Sequence, residues 1–266
     1  EVTHPEQIPA AMRRAFNEAR TPPTGPTFVG FSANALDERA NMDIVTSAQG
    51  YYRLAPDMRA IEDASRLLAS SKRPIIVSSD RVARTQASRE TVRVAELLGA
   101  RVHVWPFSEM NFPMNHPQFQ SMIRLGFSDA KAILSEGDVV LYIGKLANYA
   151  HLFSDPLQLF FERDTKLIHL DIDASEVGKT QPTEVGIISD PKVALASLAK
   201  ALEENMTDPE KRNAKNRAAA LAVEKTNNRN AWQRRVQKRW NHRPMYDDRM
   251  IIEIAKSLPE DVTIIQ

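Results

Sequence analysis

Between residue 56 and about residue 205 the chain alternates short, unbroken apolar runs with segments of helical period. No other feature constrains the fold as much. The apolar runs fall at 74–78, 101–105, 138–144, 166–171 and 186–189. The segments between them read as helices. Residues 56–70 place Met58, Ile61, Ala64, Leu67 and Leu68 inward. Residues 85–98 are closed by Gly99 as a C-cap, and 128–135 end at Gly137. Residues 191–204 start on Pro191 and carry Val193, Leu195, Leu198 and Leu202. A strand that is apolar throughout is buried on both faces, which a parallel sheet covered by helices provides. The expected fold class is therefore α/β, a doubly wound, Rossmann-like parallel sheet with helices on both faces.

The flanks follow other patterns. Residues 5–20 read as an amphipathic helix with Ile8, Met12, Ala15, Phe16 and Ala19 near one face. The run 21–26 breaks it, 27–32 reads as a short buried strand, and 33–55 is polar and irregular. Between Asp208 and Arg239 ten Lys or Arg stand against three Asp or Glu. That run favours helix but has few large apolar residues, so it reads as a surface connector. A compact amphipathic helix follows at 247–258, and 262–265 begins a strand.

Composition narrows the function. A net charge of +1 points to neither nucleic acid nor an acidic membrane surface. The chain has no cysteine, so disulfides, thiolate metal sites and cysteine nucleophiles are excluded, and a cytoplasmic location is expected. No apolar run approaches the roughly 20 residues of a membrane helix. The amino terminus does not resemble a signal peptide. It also lacks an initiator methionine, which implies that something was removed upstream. Nine glycines are few for a nucleotide-binding protein, and neither G-x-G-x-x-G nor G-x-x-x-x-G-K-[ST] occurs.

Three blocks, in order, resemble one family. The first is 95–105 followed by Phe112-Pro-Met-Asn-His-Pro-Gln-Phe-Gln-Ser-Met122, the second is 134–144, and the third is 166–173 followed by 190–198. They resemble the central domain of the thiamine-diphosphate-dependent 2-oxo acid decarboxylases and synthases, the benzoylformate decarboxylase and acetolactate synthase group. Residues 25–38 resemble the end of that family's first domain, and the helix and strand from 247 resemble the opening of its third. The resemblance implies five segments: 1–38, the end of a pyrimidine-binding domain; 39–55, a linker; 56–205, the central domain; 206–243, a basic helical linker; and 244–266, the start of a diphosphate-binding domain.

The resemblance also implies a chemistry. The parent would be a carbon–carbon lyase or synthase acting on a small 2-oxo acid, using thiamine diphosphate and Mg²⁺, and assembled as a dimer or tetramer. In that family a glutamate of the first domain and a G-D-G…N motif of the third domain serve the cofactor. Neither occurs here, and the nearest match is Glu136-Gly-Asp138. The chain is thus expected to be a piece of an enzyme, inert by itself, with no cofactor-binding residue and no metal ligand. Binding of FAD or ADP is not expected, because 79–84 contains no glycine where a phosphate would approach.

Within the loop that follows residues 101–105, His116 is the candidate catalytic residue. In the benzoylformate decarboxylase branch the histidine of this His-Pro loop assists proton transfer, and imidazole suits that role. The alternative is that His116 only shapes the loop. Phe112, with Phe119, either walls a substrate pocket or anchors the loop on the sheet. His103 and His169 lie inside strands and read as core histidines, while His151 falls in a loop near a strand end. Asp171 and Asp173 could meet a ribose hydroxyl or a metal, or cap a helix.

Two other functions remain open at this point. One is a stand-alone Rossmann-like domain that binds NAD or ADP. The other is nucleic-acid binding through the basic run 211–239, against which its lack of regular aromatic interleaving speaks.

Overall fold

A computed structural model of the chain describes residues 1–45, 53–106, 111–123, 127–146, 164–259 and 261–262. At its centre is a six-stranded, all-parallel sheet. The strands are β1 (Pro74–Ser78), β2 (Arg101–Val104), β3 (Phe119–Met122), β4 (Val139–Ile143), β5 (Lys166–Asp171) and β6 (Val185–Ile188). Their order across the sheet is β3-β2-β1-β4-β5-β6. The chain winds outward from β1 in one direction, then crosses to β4 and winds outward in the other. The fold is the expected doubly wound α/β sheet.

Helices pack on both faces of the sheet. The helices among the described residues are α1 (Ile8–Arg20), α2 (Ala33–Asp37), α3 (Met58–Ser70), α4 (Asp80–Arg84), α5 (Ser88–Leu98), α6 (Phe127–Leu134), α7 (Pro191–Asn205), α8 (Asp208–Arg239) and α9 (Asp247–Ser257), of which α1, α2 and α9 belong to the flanks. Side chains along the strands sort strictly by alternation, the pleat's period of two. Ile76, Val139, Leu141 and Ile143 join the core under α3, α5 and α7. Ile75, Val77, Val140 and Tyr142 join the opposite core with Ala130 and Leu134 of α6 and with Trp105. The edges β3 and β6 are only partly buried.

The caps are legible residue by residue. Asp57 accepts from the Arg59 N–H at 2.8 Å to start α3, and Asp190 accepts from the Lys192 N–H at 2.8 Å to start α7. Gly99 ends α5 with φ +58, a left-handed conformation that suits glycine.

One expectation is corrected, and two features lay beyond the expectations. Residues 27–32 form no strand; a single parallel bridge, Val2 to Phe31, is all the pairing they make, because no sheet lies beside them. β3 was not foreseen, since Phe119-Gln-Ser-Met122 is too polar and too exposed to read as a strand. Finally, 208–239 is a single, mostly exposed helix of 32 residues, as a surface connector would be, and its stretch from Ala214 to Lys225 docks on the sheet domain. It buries Ala214, Leu221 and Val236. The Arg217 Nε and Nη2 donate to the Leu98 carbonyl at 3.1 and 2.6 Å. Lys225 Nζ donates to the carbonyls of Met114 and Phe119 at 3.0 and 3.1 Å. Contacts from cations to main-chain carbonyls leave no apolar stripe, so periodicity could not find them. The strand start expected at 262–265 lies almost wholly outside the described residues. No helix among the described residues is long and apolar enough to cross a membrane.

Close approach of backbones at Gly99 makes a test of that docking. A Cβ there would lie 2.2 Å from the Ala214 carbonyl oxygen on α8. Gly99→Ala is expected to lower stability by about 3 kcal/mol, combining left-handed strain with overpacking. It should also lift α8, so that amides of 214–221 lose hydrogen-exchange protection. Unchanged protection across that stretch would contradict the docking.

Candidate functional site

Open α/β sheets bind ligands outside the carboxyl ends of the strands, where the winding reverses. Here that switch point lies between β1 and β4, whose last residues, Ser78 and Ile143, are in register. Ser79 continues the sheet pattern, its N–H donating to the Ile143 carbonyl at 3.1 Å, and α4 begins at Asp80. Across from it Gly144 turns the chain with φ +102, its N–H donating to the Leu170 carbonyl at 2.7 Å.

A polar cluster fills this edge. Asp171 ends β5 and is fully buried. Its Oδ1 accepts from the Asp173 N–H at 2.8 Å and pairs with Arg81 Nε at 3.4 Å. Its Oδ2 is buried with no hydrogen-bond partner among the described residues. Burial pushes the Asp171 carboxyl up from its ordinary value, against the opposing pull of the Asp173 amide, Arg81 and His169. Arg81, on α4, therefore reaches past Gly144 to the end of β5. His169 Nε2 lies 2.9 Å from the Gly144 carbonyl, so that nitrogen carries the proton and donates. Its ring meets Tyr142 edge-on at 5.6 Å, and the Tyr142 hydroxyl donates to the Lys145 carbonyl at 3.2 Å.

The two carboxylates of 171–173 do not converge. Asp173 Oδ1 accepts from the Ser175 N–H at 2.9 Å and its hydroxyl at 2.8 Å, and these bonds hold its carboxyl below the usual range. It caps a turn. Among the described residues no group of three or more His, Cys, Asp or Glu could hold a metal.

The His-Pro loop runs back from the carboxyl end of β2 to the amino end of β3. Its last part thus sits at the edge of the sheet opposite the switch point. His116 lies there beside α5. Its Nδ1 accepts from the Gln118 N–H at 3.2 Å, which places the ring proton on Nε2, 3.3 Å from Glu96 Oε1. Its ring stands edge-on to Phe112 at 5.1 Å. Phe112 is 1% exposed and belongs to the main core. His151 lies outside the described residues.

Residues 61–198 match the family model of the thiamine pyrophosphate enzyme central domain, a span of just over half the chain that runs from α3 to α7. The chain belongs to that family. Relatives of this thiamine pyrophosphate enzyme central domain include a probable acetolactate synthase large subunit of Methanocaldococcus jannaschii. It is 29% identical over 209 residues, covering 76% of this chain and 35% of the relative. A sulfoacetaldehyde acetyltransferase of Castellaniella defragrans is 26% identical over 285 residues, covering 99% of this chain and 46% of the relative. The chain therefore spans less than half the length of these relatives. Two solved structures share its fold. Benzoylformate decarboxylase from Polynucleobacter necessarius superposes with a TM-score of 0.65 at 24% identity, over 75% of this chain and 37% of that one. A 4-hydroxybenzoylformate decarboxylase of Rhodococcus jostii RHA1 gives 0.66 at 23%, over 77% and 38%.

Among the described residues, the nearest match to a Gly-Asp-Gly motif does not fit the diphosphate cofactor. Asp138, nearest to a Gly-Asp-Gly motif, spends its carboxylate on the Ser71 hydroxyl and on the N–H groups of Lys72 and Arg73 at 2.8 and 3.0 Å. Those bonds hold the carboxyl below its ordinary value despite partial burial. It ties the start of β1 to the start of β4, and both its oxygens are already engaged in that role. Sequence reasoning noticed that 79–84 lacks glycine but missed that Arg81 fills the space. No spacing in the sequence pairs that arginine with an aspartate 90 positions later.

His103, expected to be a core histidine, is one. Its Nδ1 lies 3.0 Å from Ser121 Oγ, and Nε2 is buried with no partner among the described residues. Burial first, then Arg101, pushes His103 down from 6.5 to about 4. The unfolded chain takes up a proton near pH 6.5 that the folded chain refuses until about 4. Stability should therefore fall by about 3 kcal/mol as pH drops through that window. Urea unfolding at pH 7 and pH 4.5 measures it. His103→Gln should flatten the dependence, and an unchanged slope would assign the loss to other groups.

Proposed function

We propose that this chain supplies the central domain of a thiamine-diphosphate-dependent enzyme that decarboxylates or carboligates a small 2-oxo acid. The observation that carries the reading is the family match, which begins in α3 and ends in α7 and so encloses all six strands of the sheet. In this reading 1–38 and 244–266 belong to the neighbouring pyrimidine- and diphosphate-binding domains. Residues 39–55 and 206–243 join them to the central domain at 56–205. Thiamine diphosphate and Mg²⁺ are held by the parent's other domains, and the chain alone is inactive. The parent is a cytoplasmic homo-oligomer, a dimer or tetramer, that engages neither nucleic acid nor membrane.

The alternative, a stand-alone NAD- or ADP-binding domain, is disfavoured by Arg81. Its guanidinium pairs with the buried Asp171 carboxylate beside the switch point, and 79–84 offers no glycine where a phosphate would approach. The same geometry speaks against FAD. For His116 we propose a loop-setting role through Gln118 and Glu96, with proton transfer in the parent as the competing assignment.

The test uses the longest polypeptide that carries this sequence in its source, beside the 266-residue chain. With thiamine diphosphate and Mg²⁺, pyruvate and benzoylformate are offered to both. Release of carbon dioxide or a carboligation product by the former alone supports the reading. Turnover by the isolated chain overturns it, as does a native protein no larger than this chain.

A further inference from the structure

We propose that the groove between the amino edge of the sheet and α8 binds a small molecule through a phosphate or carboxylate group. The groove is a cavity of about 580 Å³, within the size range of small-molecule sites. It lies far from the switch point, at the opposite ends of the strands. Lys72, Arg73, Arg101 and Arg217 line it, against Glu136 and Glu224.

The pairing of these groups leaves an excess of positive charge. Arg101 Nη2 and Glu224 Oε2 neutralise one another at 3.2 Å. Among the described residues the Arg73 guanidinium spends only Nε, on the Glu136 carbonyl at 2.8 Å. Arg217 spends Nε and Nη2 on the Leu98 carbonyl. Lys72 Nζ has no partner among the described residues. The Asp138 carboxylate nearby accepts from Ser71 and from the backbone of Lys72 and Arg73 and also faces Arg217, so the four cations exceed the three carboxylates by one charge.

The donors are also held in place before any ligand arrives. Main-chain carbonyls orient two guanidinium groups, and a planar guanidinium matches the oxygen pair of a phosphate or carboxylate. Arg217 is half-buried, and burial lowers its affinity for its proton, so an anion beside it would restore the charge balance that water no longer supplies. Ile75 and Leu221 give the cavity an apolar wall for the body of the ligand. This inference does not depend on the thiamine-diphosphate reading.

Calorimetric titration of the full chain tests it, with inorganic phosphate and citrate as probes at constant ionic strength set by sodium chloride. Saturable binding is expected, weakened roughly tenfold in Lys72→Gln, which removes one charge-assisted contact. Lys238→Gln, a charge removal at the far end of α8, should bind like the parent. Lys72 is exposed, so its variant should melt at the parent's temperature without anion. Binding of phosphate alone names a phosphorylated ligand, and binding of citrate alone names a carboxylate. Equal weakening in both variants, or no saturable heat with either anion, overturns the proposal.

Discussion

Arg81→Ala is expected to destabilise the protein by about 3–5 kcal/mol at pH 7, the cost of leaving one member of a buried ion pair without its partner. Asp171 is fully buried and the Arg81 side chain is 14% exposed, so solvent cannot take over the lost interaction. The effect should depend on pH in a defined direction. Burial already raises the Asp171 carboxyl above its ordinary value, and loss of Arg81 raises it further. An acid whose folded value is raised keeps its proton in the native state where the unfolded chain has released it. Its contribution is most favourable at low pH and is lost as pH rises. The deficit of Arg81→Ala relative to the parent should therefore be largest at neutral pH and shrink toward pH 4.5. Urea unfolding of both proteins at the two pH values reads this directly. A deficit of equal size at both would mean that Arg81 acts through packing and not through Asp171. The cycle closes with Asp171→Asn, which should recover part of the loss when combined with Arg81→Ala.

What the sequence revealed and what it concealed divide along a physical line. Apolar runs such as Ile75-Ile-Val77 and Val139-Val-Leu-Tyr-Ile143 announce buried strands, because burial on both faces requires every position to be apolar. Gly99 and Asp190 announce helix ends, because few residues can cap. The His-Pro loop carried the family resemblance, yet the edge on which His116 lies was not readable from it. A parallel crossover returns the chain to the starting edge, and where a loop residue sits along that return depends on tertiary packing. Phe112 shows the same limit: a phenylalanine beside a proline suits a pocket wall as well as a core anchor, and its burial is set by packing that the sequence does not display. The polar contacts that shape both edges were hidden for another reason. Arg81 meets Asp171 across 90 positions of sequence, and Lys225 caps Met114 and Phe119 across a similar distance. No local spacing encodes such pairs.

Gly144→Ala should be as damaging as any single methyl group added to this chain, with a loss of about 4 kcal/mol and a fall in melting temperature on the order of 10 °C. Two costs combine. At φ +102 an L-residue sits outside the left-handed well that alanine tolerates at modest strain. The new Cβ would also lie 2.0 Å from Ser79 Oγ and 2.8 Å from Arg81 Cγ. Neither neighbour has room to yield. Ser79 is 2% exposed and its N–H is fixed to Ile143, and Arg81 is held by Asp171. Relief of the clash would have to displace Arg81, so the ion pair of the switch point would be lost with the turn. Gly178 separates the two costs. It also has positive φ, +72, but a Cβ there meets only Thr183 Oγ1 at 3.9 Å. Gly178→Ala should therefore carry strain alone, about 1 kcal/mol. If the two variants prove equally stable, the crowding at Gly144 is not what fixes Arg81. If Gly144→Ala falls well below Gly178→Ala and shows the same shrinking deficit toward pH 4.5 as Arg81→Ala, then glycine is required at residue 144 because an arginine must pass over it.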